Sequence, residues 1–430
     1  MVQPRRQKNR PTVPPGPSRL DQILDEAAKS LNSKGVSFTT LGEIADRRGV
    51  SRPALYYYVK DLEDLVFQTY RRSCEIILLY LGVAIETGGP ATGVVAHFLS
   101  LALAEDAPEI AALGEIGILQ STARQAVLSL YEGAVARLAG VIETGIARGE
   151  VRPCDAEVAA RTLISIVFWL PVAPRWASAI QPVLPGRLME VAKDLLLHGW
   201  SKDRRASPEV EPIDLTPLST AAFSVFDRQS IAEEKRRRIL ATASRLFNRK
   251  GVDATSLEEI AADIGTTKRA LYSHVGDKHA LLAACYRRSY EIFLHLLKSS
   301  NESNPSCFYR LTAYHEAASI VQLRDDIQPL RPMVGYESLT QLARSEVDEL
   351  SSRLIGEFSS LFAGGIKEGS LRDVDLEATM LILPGASSWL VKGVVVVDEA
   401  GQRHIAREIS NLFTIGLCAT QSTTHSTSHA

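Results

Sequence analysis

Residues 266–282 read TTKRALYSHVGDKHALL, and residues 50–66 of the same 430-residue chain read VSRPALYYYVKDLEDLV. In each stretch a hydroxyl residue, Thr267 or Ser51, stands ahead of two apolar residues four apart: Leu271 and Val275, or Leu55 and Val59. That spacing predicts a short capped helix with one buried stripe. The opposite face carries Arg52, Pro53, Tyr56, Tyr57 and Lys60 in the first copy, and Lys268, Arg269, Tyr272, Ser273 and Gly276 in the second.

Immediately upstream, TTLGEI places Thr40 three residues before Glu43, and TSLEEI places Ser256 three residues before Glu259. Both predict capping boxes, in which hydroxyl and carboxylate satisfy the free amides of a helix start. Gly49 and Gly265 then supply the left-handed position that ends the helix, and Pro53 falls in the first turn of the next one, where its missing N–H costs nothing. Two capped helices separated by a three-residue turn spell a helix-turn-helix, whose second helix suits a DNA major groove. Cations near its start can reach guanine O6 and N7, and tyrosines offer a hydroxyl and an apolar ring to phosphate or a thymine methyl. The run Tyr56–Tyr58 taken alone reads as aromatic packing; its setting on a capped basic helix favours an interface.

Working outward, the similarity is a duplication. Gly35 and Gly251, Ile44 and Ile260, Gly49 and Gly265, and Tyr56 and Tyr272 pair at an offset of 216, without a gap from Ile23 to Ile76. IARGEVRPCDAEVAARTLISIVFWL from Ile146 matches IKEGSLRDVDLEATMLILPGASSWL from Ile366 at an offset of 220, ending with Trp169 against Trp389. A motif shared at each end of the unit marks two copies of one architecture. Ile23, Ala27 and Leu31, with Ile239, Ala243 and Phe247, repeat at four-residue steps. No stretch alternates for long in the manner of a strand, so both units read as all-α.

The domains expected are a basic disordered tail (1–18), a first helix-turn-helix domain (19–72), a first helical domain (73–200), a proline-containing linker (201–230), a second helix-turn-helix domain (231–288), a second helical domain (289–418) and a polar disordered tail (419–430). Residues 1–72 and residues 233–290 each carry a net charge of +5, leaving −12 on the rest of a chain whose net charge is −2. Two basic modules on an acidic body suit a polyanion.

The longest apolar runs are broken before the roughly 20 residues of a membrane span, and no apolar segment follows the basic N-terminus, so a cytoplasmic protein is expected. The five cysteines are scattered without zinc-ligand spacing, and neither a metal nor a cofactor is implied. The chain lacks a glycine-rich phosphate loop, H-E-x-x-H and G-x-S-x-G, which leaves an enzyme reading without support.

The pattern I-A-x-x-x-G-x-[ST]-x-x-x-L-Y-x-[YH]-V, present in both copies, resembles the DNA-binding domain of the tetracycline-repressor (TetR) family of bacterial regulators. The resemblance implies, twice over, a three-helix DNA-binding domain and a helical regulatory domain that pairs through its last two helices. It also implies a small, often apolar effector that swings the domains off double-stranded DNA, and it favours repression. Carried onto this chain, Arg52, Pro53, Tyr56, Lys268, Arg269 and Tyr272 match base-reading positions. Thr39, Thr40, Tyr57, Tyr58, Thr255, Ser256, Ser273, His274 and Lys278 match phosphate positions. Leu62 stands where the second copy has Lys278, which removes one phosphate cation; Lys60, with Arg47 and Arg48, is the expected compensation.

Because one chain holds two units, pairing can be intramolecular, giving a pseudo-dimer on an imperfect palindrome; a homodimer with four modules is the other arrangement. A helical interaction scaffold that has lost DNA affinity is the alternative in kind. In the regulatory halves Trp169, Trp176, Trp200 and Trp389 read as core or interface residues. His97 and His315, and Arg124 and Arg344, fall at similar places in the two copies and are candidate effector contacts. The effector's identity is not written in the sequence.

Overall fold

The computed structural model describes residues 18–177, 180–205, 209–219, 228–392 and 396–420. The expected tails lie outside the described residues, except that Ser18 caps the first helix and residues 419–420 follow the last. Among the described residues the regular elements are helical, with two isolated backbone bridges.

The first unit runs α1 (Arg19–Lys34), α2 (Leu41–Arg48), α3 (Arg52–Leu55), α4 (Leu62–Thr87), α5 (Ala91–Ala102), α6 (Ser121–Ala147), α7 (Ala156–Trp169), α8 (Ala173–Trp176) and α9 (Pro185–His198). The second runs α10 (Arg228–Lys250), α11 (Leu257–Asp263), α12 (Lys268–Val275), α13 (Lys278–Ser303), α14 (Cys307–Leu323), α15 (Gln341–Glu368), α16 (Leu376–Ala386) and α17 (Glu399–Thr414). Both units anchor the start of their fifth helix on a glutamate, although the two carboxylates stand two positions apart in the aligned repeat. The N–H of Ala91, at the start of α5, donates to Glu150 at 2.6 Å, and that of Cys307, at the start of α14, donates to Glu368 at 2.8 Å.

The last helices of each unit close on those of the other: α7 packs on α16, α9 on α16, α7 on α17, and α9 on α17. The contacts obey a pseudo-twofold. Val151 bridges to Cys418, and Leu371, its partner in the repeat, bridges to Ser201. The N–H of Arg152 donates to Leu417 at 2.9 Å, and that of Arg372 to Trp200 at 2.8 Å. Gly199 and Gly416 both have positive φ (66° and 72°), and a Cβ on either would collide with the backbone of the other unit, at Thr414 and at Leu197. Only glycine meets both conditions. Across the seam, Ser165 donates to the Gly385 carbonyl at 2.8 Å and the Trp169 indole to the Leu381 carbonyl at 2.7 Å. Trp200, fully buried, packs among His315, Phe362 and Phe413 of the second unit.

The described part of the linker is no free chain. Arg204 donates to the carbonyls of Ile415 (2.8 Å) and Cys418 (2.7 Å), Ile213 and Leu215 are buried, and Ser219 donates to Asp326 at 2.6 Å.

The apolar core divides unevenly. The first helix-turn-helix keeps a small cluster of its own, Ile23, Leu24, Ala27, Ile44, Ala45, Leu55, Val59 and Leu65. The equivalent residues of the second, including Ile239, Ile260, Leu271 and Leu281, run on into the main core.

Candidate nucleic-acid interface and effector cavity

Each helix-turn-helix forms as its caps dictate. The Thr40 and Ser256 hydroxyls accept from the N–H groups of Glu43 (3.2 Å) and Glu259 (3.0 Å), and those of Ser51 and Thr267 from Ala54 (3.3 Å) and Ala270 (3.2 Å). Gly49 and Gly265 have φ of 62° and 71°. The expected capping boxes are half made: the Glu43 carboxylate pairs with Lys34 and with Arg47 (2.7 Å), and Glu259 pairs with Lys250. A full charge within reach outcompetes a backbone amide for a carboxylate. The ion pair with Lys34 holds the Glu43 carboxyl below its ordinary range.

Two expected phosphate residues are corrected. Thr39 and Thr255 are buried, and their hydroxyls donate to the carbonyls of Gly35 and Gly251, each at 2.8 Å. They tie each α1-type helix end to the next turn and face no solvent. Thr40 and Ser256, one residue on, are exposed.

On the outward face Arg52, Pro53, Tyr56, Tyr57, Lys60, Lys268, Arg269, Tyr272, Ser273 and His274 are exposed, whereas Tyr58 and Lys278 are half-buried. Tyr57 stands out into solvent, 87% exposed; Tyr58 lies edge-on to it and packs against the small core. The Ser273 hydroxyl donates back to the Ala270 carbonyl (2.7 Å), and the Lys278 ammonium to the Asp253 carbonyl (3.3 Å). Leu62 packs against both cores. Of the expected compensating cations, Arg47 is held by Glu26 and Glu43 and Arg48 by Gln22, which leaves Lys60.

The two cations expected to read bases differ in a way the motif does not reveal. Lys268 is ion-paired with Glu258, which lowers the Glu258 carboxyl, and lies 5.7 Å from the centre of the Tyr272 ring. In the first copy the position of Glu258 is Gly42, and the Arg52 guanidinium lies over it, where a Cβ would come within 2.8 Å. Arg52 makes no ion pair among the described residues.

A cavity of about 120 Å³ opens in the second helical domain, walled by α13, α14, α15 and α16 and by Trp169 and Trp176 of the first unit. His315 lines it; His97, Arg124 and Arg344 do not. His97 is half-buried on α5. Because α5 and α14 start at equivalent residues, His97 corresponds to Ala313 and His315 to Leu99, so the two histidines are not counterparts. Arg344 is turned to the 336–338 turn, pairing with Glu337 at 3.0 Å and stacking near Tyr336, and Arg124 is half-buried on α6. Arg331, missed in the sequence, lines this cavity and a second one that reaches the first helix-turn-helix at Leu31, Asn32 and Gly35. Among the described residues no three of His, Cys, Asp or Glu group as for a metal, and no helix is long and apolar enough to cross a membrane.

The model of bacterial regulatory proteins of the tetR family matches residues 23–69 and again residues 239–285. RutR, an HTH-type transcriptional regulator of Escherichia coli, is 31% identical over 152 residues, 34% of this chain and 69% of RutR. The chain belongs to the TetR family. In this TetR-family chain the family's DNA-binding domain is matched twice, once in each unit. Its similarity to YerO of Bacillus subtilis, an uncharacterized HTH-type transcriptional regulator, is higher but local: 49% over 53 residues, 12% of this chain and only 18% of YerO's length. The solved structure of PfmR from Thermus thermophilus aligns with 42% of this chain and 93% of its own, at 24% identity and a TM-score of 0.35.

Proposed function

We propose that the chain is a single-chain transcriptional repressor. Its two unequal helix-turn-helix modules enter successive major grooves of one imperfect palindrome, and a small effector in the helical body releases it. The observation that carries this reading is the pseudo-twofold seam of α7, α9, α16 and α17. It occupies the surfaces through which two separate units would pair, so one chain has the makings of a complete dimer. Exposed cations and tyrosines on both outward faces, with a net charge of +5 on each of the stretches 1–72 and 233–290, support polyanion binding. Half-sites about one helical turn apart are expected.

Selection of bound duplexes from a random pool, with the mass of the complex measured in solution, tests this. Two unlike half-sites bound by one chain support it; four half-sites per complex point to a homodimer. Binding without a steep negative salt slope, or no selection at all, favours the interaction scaffold.

A further inference from the structure

The cavity in the second unit is apolar along most of its wall, with Tyr286, Tyr290, Phe293, Tyr314, Phe358 and Trp169 among its rings. No aspartate, glutamate or lysine lines it; Arg331 is the one lining residue that carries a charge near pH 7. His315 stays neutral there because burial pushes its imidazole down to about 4, and its Nε2 is buried without a hydrogen-bond partner.

The Arg331 guanidinium has no carboxylate within ion-pairing distance among the described residues. It donates to the carbonyls of Gly114 (3.0 Å) and Ser388 (3.5 Å), and its Nε is buried without an acceptor. Burial pulls it down to about 10, with the charge of Glu115 acting the other way. A buried cation served only by carbonyls is costly, and an anion beside it recovers much of that cost. Met333, two residues on, is the one non-glycine residue with positive φ among those described (67°), a local strain of the kind found at ligand sites.

The first unit lacks these two polar groups. The N–H of Arg331 donates to Asn248 and that of Ala112 to Asn32, both at 2.9 Å, so Ala112 is the counterpart of Arg331. Leu99 replaces His315, and Cys74, Ile77 and Phe98 fill the equivalent space as core residues.

Arg331 also touches the joint between the two DNA-binding modules. It holds the carbonyl of Gly114, and the next residue, Glu115, accepts from the N–H of Val36 at 2.6 Å. The Glu115 side chain lies against both Gly35 and Gly251, where a Cβ would come within 3.3 and 3.4 Å of it. Gly117 lies against the backbone at Arg249, at the end of α10.

We propose that this cavity binds one apolar monocarboxylate per chain through Arg331, and that the carboxylate takes Arg331 from Gly114 and so loosens the Gly114–Glu115 joint holding both modules. The idea rests on the repressor reading for its consequence on DNA, but its binding step stands apart from it.

The test uses the full chain with phenylacetate, 4-phenylbutyrate and decanoate, each against its primary amide. Quenching of tryptophan fluorescence reports occupancy beside Trp169 and Trp176, without DNA. At least one acid is expected to bind about tenfold or more tightly than its amide, as loss of a charge-assisted hydrogen bond predicts. Arg331→Gln should erase the preference, and Arg331→Lys should restore part of it. On selected DNA, the binding acid should shift the release curve and its amide should not.

Equal binding of acids and amides, no binding by any acid, or a preference that survives Arg331→Gln overturns the proposal. If Arg331→Gln fails to fold, the comparison of acid with amide on the parent protein decides alone. Acid preference without DNA binding would remove the repressor reading and leave the site; DNA binding without acid preference would do the reverse.

Discussion

The first copy of the repeat presents a free arginine to solvent and has Ala112 and Leu99 where the second has Arg331 and His315; the second presents a lysine already paired with Glu258 and holds the cavity those two residues line. Its helix-turn-helix also shares the main core, whereas that of the first copy splits its apolar residues between the main core (Ala28, Leu31, Val36, Val66, Tyr70) and a separate cluster. Duplication of one unit thus allowed the copies to diverge in opposite directions. One carries an exposed cation, Arg52, without an ion pair among the described residues, and the other carries the cavity with Arg331 and His315. The reading helices differ as well: α12 runs eight residues to Val275, while α3 ends after four and continues as turns through Tyr58.

The seam that joins the unlike halves gives the largest expected effect. Trp200→Ala removes a fully buried indole of the first unit from the core of the second, and should cost about 3–5 kcal/mol in urea unfolding of the whole chain. Two transitions, with only one moved, would show that the halves fold separately and would break the comparison at its base.

The next largest tests the cavity. Burial lowers the folded His315 imidazole to about 4 from an ordinary 6.5. The unfolded chain therefore takes up the proton first, and stability that is intact above about pH 6.5 drains away as the pH falls to 4, by up to about 3 kcal/mol. His315→Leu, which installs the first copy's residue, should flatten that part of the stability curve. Glu316, pushed by burial up to about 7, works in the opposite direction and is common to both proteins, so the difference curve isolates His315. An unchanged slope between pH 6.5 and 4 would place the histidine in a more open setting than described.

On DNA, Arg52→Ala should cost about 1–3 kcal/mol and relax preference in one half-site only. Lys268→Ala should do the same in the other half-site by a smaller amount, because Lys268 must first leave Glu258. Equal losses in both half-sites from either change would dissolve the distinction between the modules.

The smallest effect exchanges the residues behind these cations. Glu258→Gly should tighten binding to the second half-site slightly, since it frees Lys268 from an exposed ion pair that contributes little. Gly42→Glu should weaken binding to the first half-site, where it both crowds and neutralises Arg52. Binding isotherms on half-site variants at fixed salt would show either change, and opposite signs would reverse the ranking of the modules.

Much of the fold is legible in the sequence because helix starts and stops are written locally: Thr40, Ser51, Ser256 and Thr267 cap where their spacing predicts, and Gly49 and Gly265 end their helices. The exposed interface residues are legible from the same register. Thr39 and Thr255 are misjudged because adjacent threonines at a helix start look alike in sequence, and only the turn after Gly35 or Gly251 decides which hydroxyl faces in. Arg331 escapes notice because the insertion in the second copy breaks the alignment with Ala112 there. His315 is reached through an equivalence with His97 that the helix starts do not support. The contrast of Gly42 with Glu258 is visible in the aligned copies, and its meaning is not, since it depends on where the neighbouring side chain lies.

The sequence by itself determined the duplication, the all-helical class, the two helix-turn-helix modules and the family, because these rest on periodicity, caps and left-handed glycines within a few residues of one another. Tertiary structure alone decided that the halves close on each other through Gly199 and Gly416, that Arg52 is free while Lys268 is paired, and that Arg331 faces a cavity. Each of those depends on residues tens to hundreds of positions apart in the chain, whose approach is set by packing and leaves no local pattern.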